Sequence, residues 1–80
     1  MRKTTKKVFK LLYENDSKFE SYRVIATDNY LEVKIYFKLN AYYNGQKIME
    51  SVWIKRESDL ISPGLFVEGI RNTINEVYYN

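Results

Sequence analysis

Two groups of residues in this chain could carry binding chemistry. The first alternates aromatics and cations along extended stretches: Arg23, Tyr30, Lys34, Tyr36, Lys38, Trp53 and Lys55. Flat aromatic rings stack on bases while Lys and Arg track phosphates, which is how single-stranded nucleic acid is held. The second is Lys3, Lys6, Lys7 and Lys10, spaced i, i+3, i+4 and i+7, which places four ammonium groups on one side of a helix. Aromatic and Arg-rich surfaces are also the stuff of protein interfaces, so a protein partner is the competing reading of the first group.

The missing residue types narrow the chemistry further. The chain has no cysteine and no histidine. That removes disulfides, thiolate metal sites, the commonest metal ligand and the commonest general base near neutral pH. A tyrosine nucleophile needs arginines around it, and Arg2, Arg23 and Arg71 are scattered. The acidic residues form no spaced pair suited to general acid–base work or to a hard-metal loop. Gly45, Gly64 and Gly69 make no phosphate-cradling loop. The expectation is a protein that acts by binding, with no catalytic residue, metal or cofactor.

The strand that positions the first group spans 30–39. Leu31, Val33, Ile35, Phe37 and Leu39 are apolar, while the intervening positions are tyrosines and charges. This period-two alternation predicts a strand with one face in a core. Before it, residues 19–27 read as a strand joined through Asp28-Asn29, two residues that tolerate positive φ. Partner numbers then sum to 57, so Tyr22, Val24 and Ala26 join the core face and Arg23, Ile25 and Phe19 the other. After it, Asn44-Gly45 is a strong signal for a type I′ hairpin, because that turn needs positive φ at both central residues. Extending its register, in which partners sum to 89, sets Ile48 opposite Ala41, Val52 opposite Phe37 and Ile54 opposite Ile35, all on the core side. Trp53 then lies across from Tyr36, and Lys55 across from Lys34, on the outer face. Glu50 opposite Leu39 is the one misfit.

Helices flank these strands. Residues 3–14 form an amphipathic helix with Thr4 or Thr5 as its cap and Val8 and Leu12, beside Phe9 and Leu11, opposite the lysines. Residues 57–61 are a linker whose Leu60 and Ile61 tuck against the core. Ser62-Pro63 is a helix start, a capping hydroxyl followed by proline at the first helical position. The second helix runs to about residue 78 with Phe66, Val67, Ile70, Ile74, Val77 and Tyr78 in its apolar stripe.

The predicted fold is one α+β domain over residues 1–80, a two-layer sandwich of helix, three-stranded antiparallel meander and helix (α-β-β-β-α). With both helices on one side of the sheet, the other side is open and carries Arg23, Ile25, Tyr30, Lys34, Tyr36, Lys38, Met49, Trp53 and Lys55. Its 80 residues give a thin core, and an apolar share of 45% with 29% charge fits a globular chain. The net charge of +3 is unevenly placed: residues 1–10 hold five cations and no acid, and the rest of the chain is slightly acidic. No apolar run is long enough to span a membrane, and no cleavable leader is evident, so the expected location is the cytoplasm. The abundance of Lys, Asn, Ile and Tyr is that of AT-rich coding, as in phages and mobile elements of low-GC bacteria.

The functional expectation is nucleic-acid binding through the aromatic-basic open sheet face together with the basic N-terminal helix. The alternative is a phage- or mobile-element-type protein that binds and inhibits a host protein, for example a defence nuclease in the anti-CRISPR manner, through the same face. The chain is expected as a monomer or as a homodimer through that face.

Overall fold

The computed structural model describes residues 2–56 and 63–80, and for Arg2 and Pro63 the backbone alone. The expected linker over 57–61 and the Ser62 cap lie outside the described residues. Helix α1 spans Arg2–Glu14, and a short 3-10 turn follows at Asp16–Lys18. Strands β1 (Ser21–Ala26), β2 (Tyr30–Tyr36), β3 (Ala41–Tyr43), β4 (Gln46–Lys47) and β5 (Glu50–Arg56) precede helix α2 (Pro63–Glu76) and a last short strand, β6 (Tyr78–Tyr79). The α+β class and the antiparallel pairing are as predicted. The strands, however, form two small sheets, ordered β1-β2-β5 and β4-β3-β6.

Helix α1 begins earlier than its threonines suggested. Thr4 is fully buried rather than at a cap, in one row with Val8, Leu11 and Leu12. These residues, the inner row Leu31, Val33 and Ile35 of β2, and Phe66, Val67, Ile70 and Ile74 of α2 make a single core, joined by Phe19, which precedes β1 and is buried here instead of lying on the outer face as expected. Both helices therefore contribute to one layer over the central strand, as a two-layer arrangement requires.

The β1–β2 hairpin has the expected register, with Val24 opposite Val33 and Arg23 opposite Lys34. Its turn closes by a different route. Neither Asp28 nor Asn29 has positive φ. Instead the Thr27 hydroxyl accepts from the backbone N–H groups of Asn29 and Tyr30, each at 3.1 Å. The side chain supplies the acceptor that a mirror-image turn would otherwise make unnecessary.

The second hairpin keeps its turn but loses its register. Asn44 (φ 53°) and Gly45 (φ 78°) are both in the left-handed region, and Tyr43 faces Gln46. The Ile48 N–H donates to the Ala41 carbonyl at 2.9 Å, still in step with the turn. The next bond of the ladder runs from the Phe37 N–H to the Met49 carbonyl, also 2.9 Å. Lys38, Leu39 and Asn40 therefore bulge out of one strand with nothing opposite them in the other. Asn40 makes the bend with φ 69°. An odd number of extra residues reverses every side chain beyond it. In β2–β5, Lys34 thus faces Val52, Glu32 faces Ile54 and Val33 faces Trp53.

Beyond the bulge, β3 belongs to the second sheet. Helix α2 stops at Glu76 instead of running on through Tyr78. Tyr78 and Tyr79 then pair with Tyr42 and Ala41. The Asn80 N–H donates to the Asn40 carbonyl at 3.0 Å, holding the bend from the other side. Tyr42 and Tyr78 stack with centroids 5.8 Å apart and planes 20° from parallel. The Tyr79 hydroxyl donates to the Lys18 carbonyl.

Candidate functional site

The register change splits the predicted aromatic-basic face. Trp53 lies on the helix-facing side of β5, half-buried against the core, and is not adjacent to Tyr36. Lys55 has turned with it, opposite Leu31. Lys38 sits in the bulge, its ammonium donating to the Ser17 carbonyl at 2.7 Å. Leu39, expected in the core, is 80% exposed beside it. Arg23, Tyr30, Lys34 and Tyr36 do share the outer face, where the strand neighbours are Val52, Ile54, Glu50 and Arg56.

That outer face is not strongly cationic. Arg23 is paired with Glu32 at 3.3 Å, and Lys34 with Glu50 at 3.1 Å. Its charges are thus Arg23, Lys34 and Arg56 against Glu32 and Glu50. The hydrogen bond from Lys34 to the Glu50 carboxylate holds the ammonium pKa above its ordinary value, with desolvation opposing. The Lys34 ammonium also lies 5.1 Å from the Tyr36 ring centroid. The cations most needed for phosphate are therefore already occupied.

The helical side differs. Lys3, Lys6, Lys7 and Lys10 are exposed, and none forms an ion pair with a described residue. Lys7 and Lys10 line a shallow groove of about 300 Å³ between the helices with Leu11, Glu14, Val67 and Arg71. Arg71 is 3.6 Å from Glu68, one turn back on α2.

Two aromatic residues of this side were not recognised from sequence as candidates. Phe9, which the helical pattern sets beside Val8 and Leu12, is 44% exposed, its ring in T-shaped contact with Tyr22 at 6.4 Å. Tyr13 is 80% exposed. The signal that could have found them is their spacing. Lys6, Phe9, Lys10 and Tyr13 fall at i, i+3, i+4 and i+7, so α1 carries on its outside the same alternation of cation and ring that was sought on the sheet.

Among the described residues no three Asp or Glu side chains converge as metal ligands, and no helix is long and apolar enough to cross a membrane. Comparison of the chain with protein families, with curated proteins and with solved structures finds no match.

Proposed function

We propose that the protein binds single-stranded nucleic acid along the outer face of α1. The observation that carries this reading is the exposed row Lys6, Phe9, Lys10 and Tyr13, flanked by Lys3 and Lys7, which form no ion pair with a described residue. Each ammonium can displace a condensed counterion from phosphate, and the Tyr13 ring offers a base a stacking surface. Phe9 is steadied by its T-shaped contact with Tyr22, so its exposed surface is presented at little cost in side-chain freedom. Arg71, 3.6 Å from Glu68, lies across the groove from Lys7 and Lys10 and adds no free charge to them. The role is recognition without chemistry on the nucleic acid.

The test is anisotropy of a labelled oligonucleotide, as single strand and as duplex, over a range of salt. Four lysine contacts to a single strand give a slope of log affinity on log salt of about −3. Changing Lys3, Lys6, Lys7 and Lys10 to Gln together should flatten that slope nearly to zero. Tyr13→Ala should weaken single-strand binding about tenfold, from roughly 1–3 kcal/mol of stacking per base, with the slope unchanged. Salt-independent binding, or equal affinity for duplex and for the Tyr13→Ala variant, would overturn this reading.

A further inference from the structure

We infer that the open face of the β1-β2-β5 sheet binds a second copy of this chain, giving a two-fold dimer with sheets packed face to face and both α1 helices outward. This is independent of the nucleic-acid reading, since it concerns the opposite side of the molecule.

The first ground is the reversed register of β5. Val52 and Ile54 are 46% and 58% exposed on this face, next to the half-buried Ile25, Tyr30 and Tyr36. In the rows across the sheet, Ile25, Glu32 and Ile54 lie side by side, as do Arg23, Lys34 and Val52. No described element lies over them. Val52 and Ile54, two β-branched aliphatics left in water on the edge strand β5, anchor an interface, and the pairs Arg23–Glu32 and Lys34–Glu50 lie beside them across the same face, their charges already satisfied within the chain.

The second ground is charge, which decides how two copies can meet. The helical side carries Lys3, Lys6, Lys7 and Lys10, none in an ion pair with a described residue, and repels its like. The sheet face is close to neutral, with both signs present and mostly paired internally. Two identical chains therefore approach most readily sheet to sheet, and an isologous contact presents each face with its own mixed pattern. A strongly acidic or basic foreign surface gains little from this face, because its ion pairs are already made.

The third ground is area. Strands of six and seven residues, three abreast, give a footprint of about 14 by 23 Å. With side-chain relief this is roughly 500 Å² per copy, about 1,000 Å² in all, the lower bound for specific association. Leu39 and Met49, which line a cleft with Tyr36 and Glu50 at the end of the face, extend the apolar surface beyond it. An interface at this lower bound fits a weak dimer, one that forms as concentration rises.

Sedimentation velocity from low micromolar to near-millimolar protein tests this. The expected result is a monomer–dimer equilibrium. Ile54→Lys should remain monomeric throughout, and the milder Ile54→Thr should raise the dissociation constant at least tenfold, both with unchanged far-UV circular dichroism. Leu65→Lys, at an exposed position on α2, should dimerise as the wild type does. A wild-type chain that stays monomeric near millimolar concentration overturns the inference, as does an Ile54→Thr variant that folds and dimerises normally. Capture of a different protein through Ile54 by a chain that does not self-associate would likewise replace the second copy with that partner.

Discussion

Trp53 and Ile54 are neighbours in sequence, and the bulge at Lys38–Asn40 decides which of them holds the fold together. In the structure Trp53 packs on the core across from Val33, while Ile54 is more than half exposed beside Glu32. Removing a fully buried Trp costs about 3–5 kcal/mol, and Trp53 is partly accessible, so Trp53→Ala should cost about 2–3 kcal/mol. Ile54→Ala removes a side chain already largely in water and should cost about 1 kcal/mol or less, most of it strand propensity. For a domain of this size the two translate to falls in melting temperature of roughly 10–20 °C and at most about 8 °C. The whole stability of such a chain is roughly 4–12 kcal/mol, so Trp53→Ala should remain folded but fragile at 37 °C. Urea unfolding followed by circular dichroism, at concentrations too low for self-association, gives both differences directly. Had the hairpin kept the register of its Asn44-Gly45 turn, Ile54 would be in the core and Trp53 outside. A larger loss from Ile54→Ala than from Trp53→Ala would therefore refute the bulge and everything placed on the outer face through it.

Three further outcomes are expected. Gly45→Ala should cost about 1–2 kcal/mol in urea unfolding although nothing lies within 4 Å of the added methyl, because the penalty is that of φ 78° for an L-residue. Tyr78→Ala should remove the stack on Tyr42, worth about 0.5–1.5 kcal/mol, and amide exchange should then accelerate selectively at Ala41–Tyr43, the strand that β6 covers. The pKa of Lys34 is higher in the folded chain than in the unfolded one. Its stabilisation is therefore complete below the ordinary lysine pKa and is lost as pH rises through the raised one. Melts across that alkaline window should show the wild type losing more stability than Glu50→Gln, in which the partner carboxylate is gone.

Local pattern made much of this fold legible. The alternation in β2 has a strict period and a single solution, so Leu31, Val33 and Ile35 were assigned to the core from sequence, and the structure buries them completely. The β1–β2 register followed from loop length, and it survived a turn built on the Thr27 hydroxyl instead of positive φ. The apolar row of α2 was equally plain. What failed was the extension of one correct local fact over too long a distance. The Asn44-Gly45 turn fixes its immediate neighbours, but nothing in residues 37–41 announces a bulge except Asn40, whose tolerance of φ 69° is shared with many asparagines that never use it. What holds the bulge is partly not local: Tyr78 and Tyr79 pair with the other edge of β3 from the far end of the chain. Because β5 is apolar on either side, with Val52 and Ile54 alternating with Trp53, its own pattern could not reveal the error. The candidate site suffered in proportion, losing Trp53 and Lys55 from the outer face and gaining Phe9 and Tyr13 on α1.

The bulge also makes β5 sensitive to the parity of its connection. A strand has two sides and nothing between them, so a change of one residue between Phe37 and Ala41 cannot be absorbed as a small shift. Deleting Leu39, for instance, would leave an even insertion and turn β5 over, sending Val52 and Ile54 inward and Trp53 out. Deleting two residues would restore the present sides with a tighter bend. In a lineage of such chains, lengths at this segment should therefore differ by twos, and a variant that differs by one should carry compensating exchanges of size and polarity at positions 51 to 55. A single codon here changes not the length of a loop but which side of the protein is its surface.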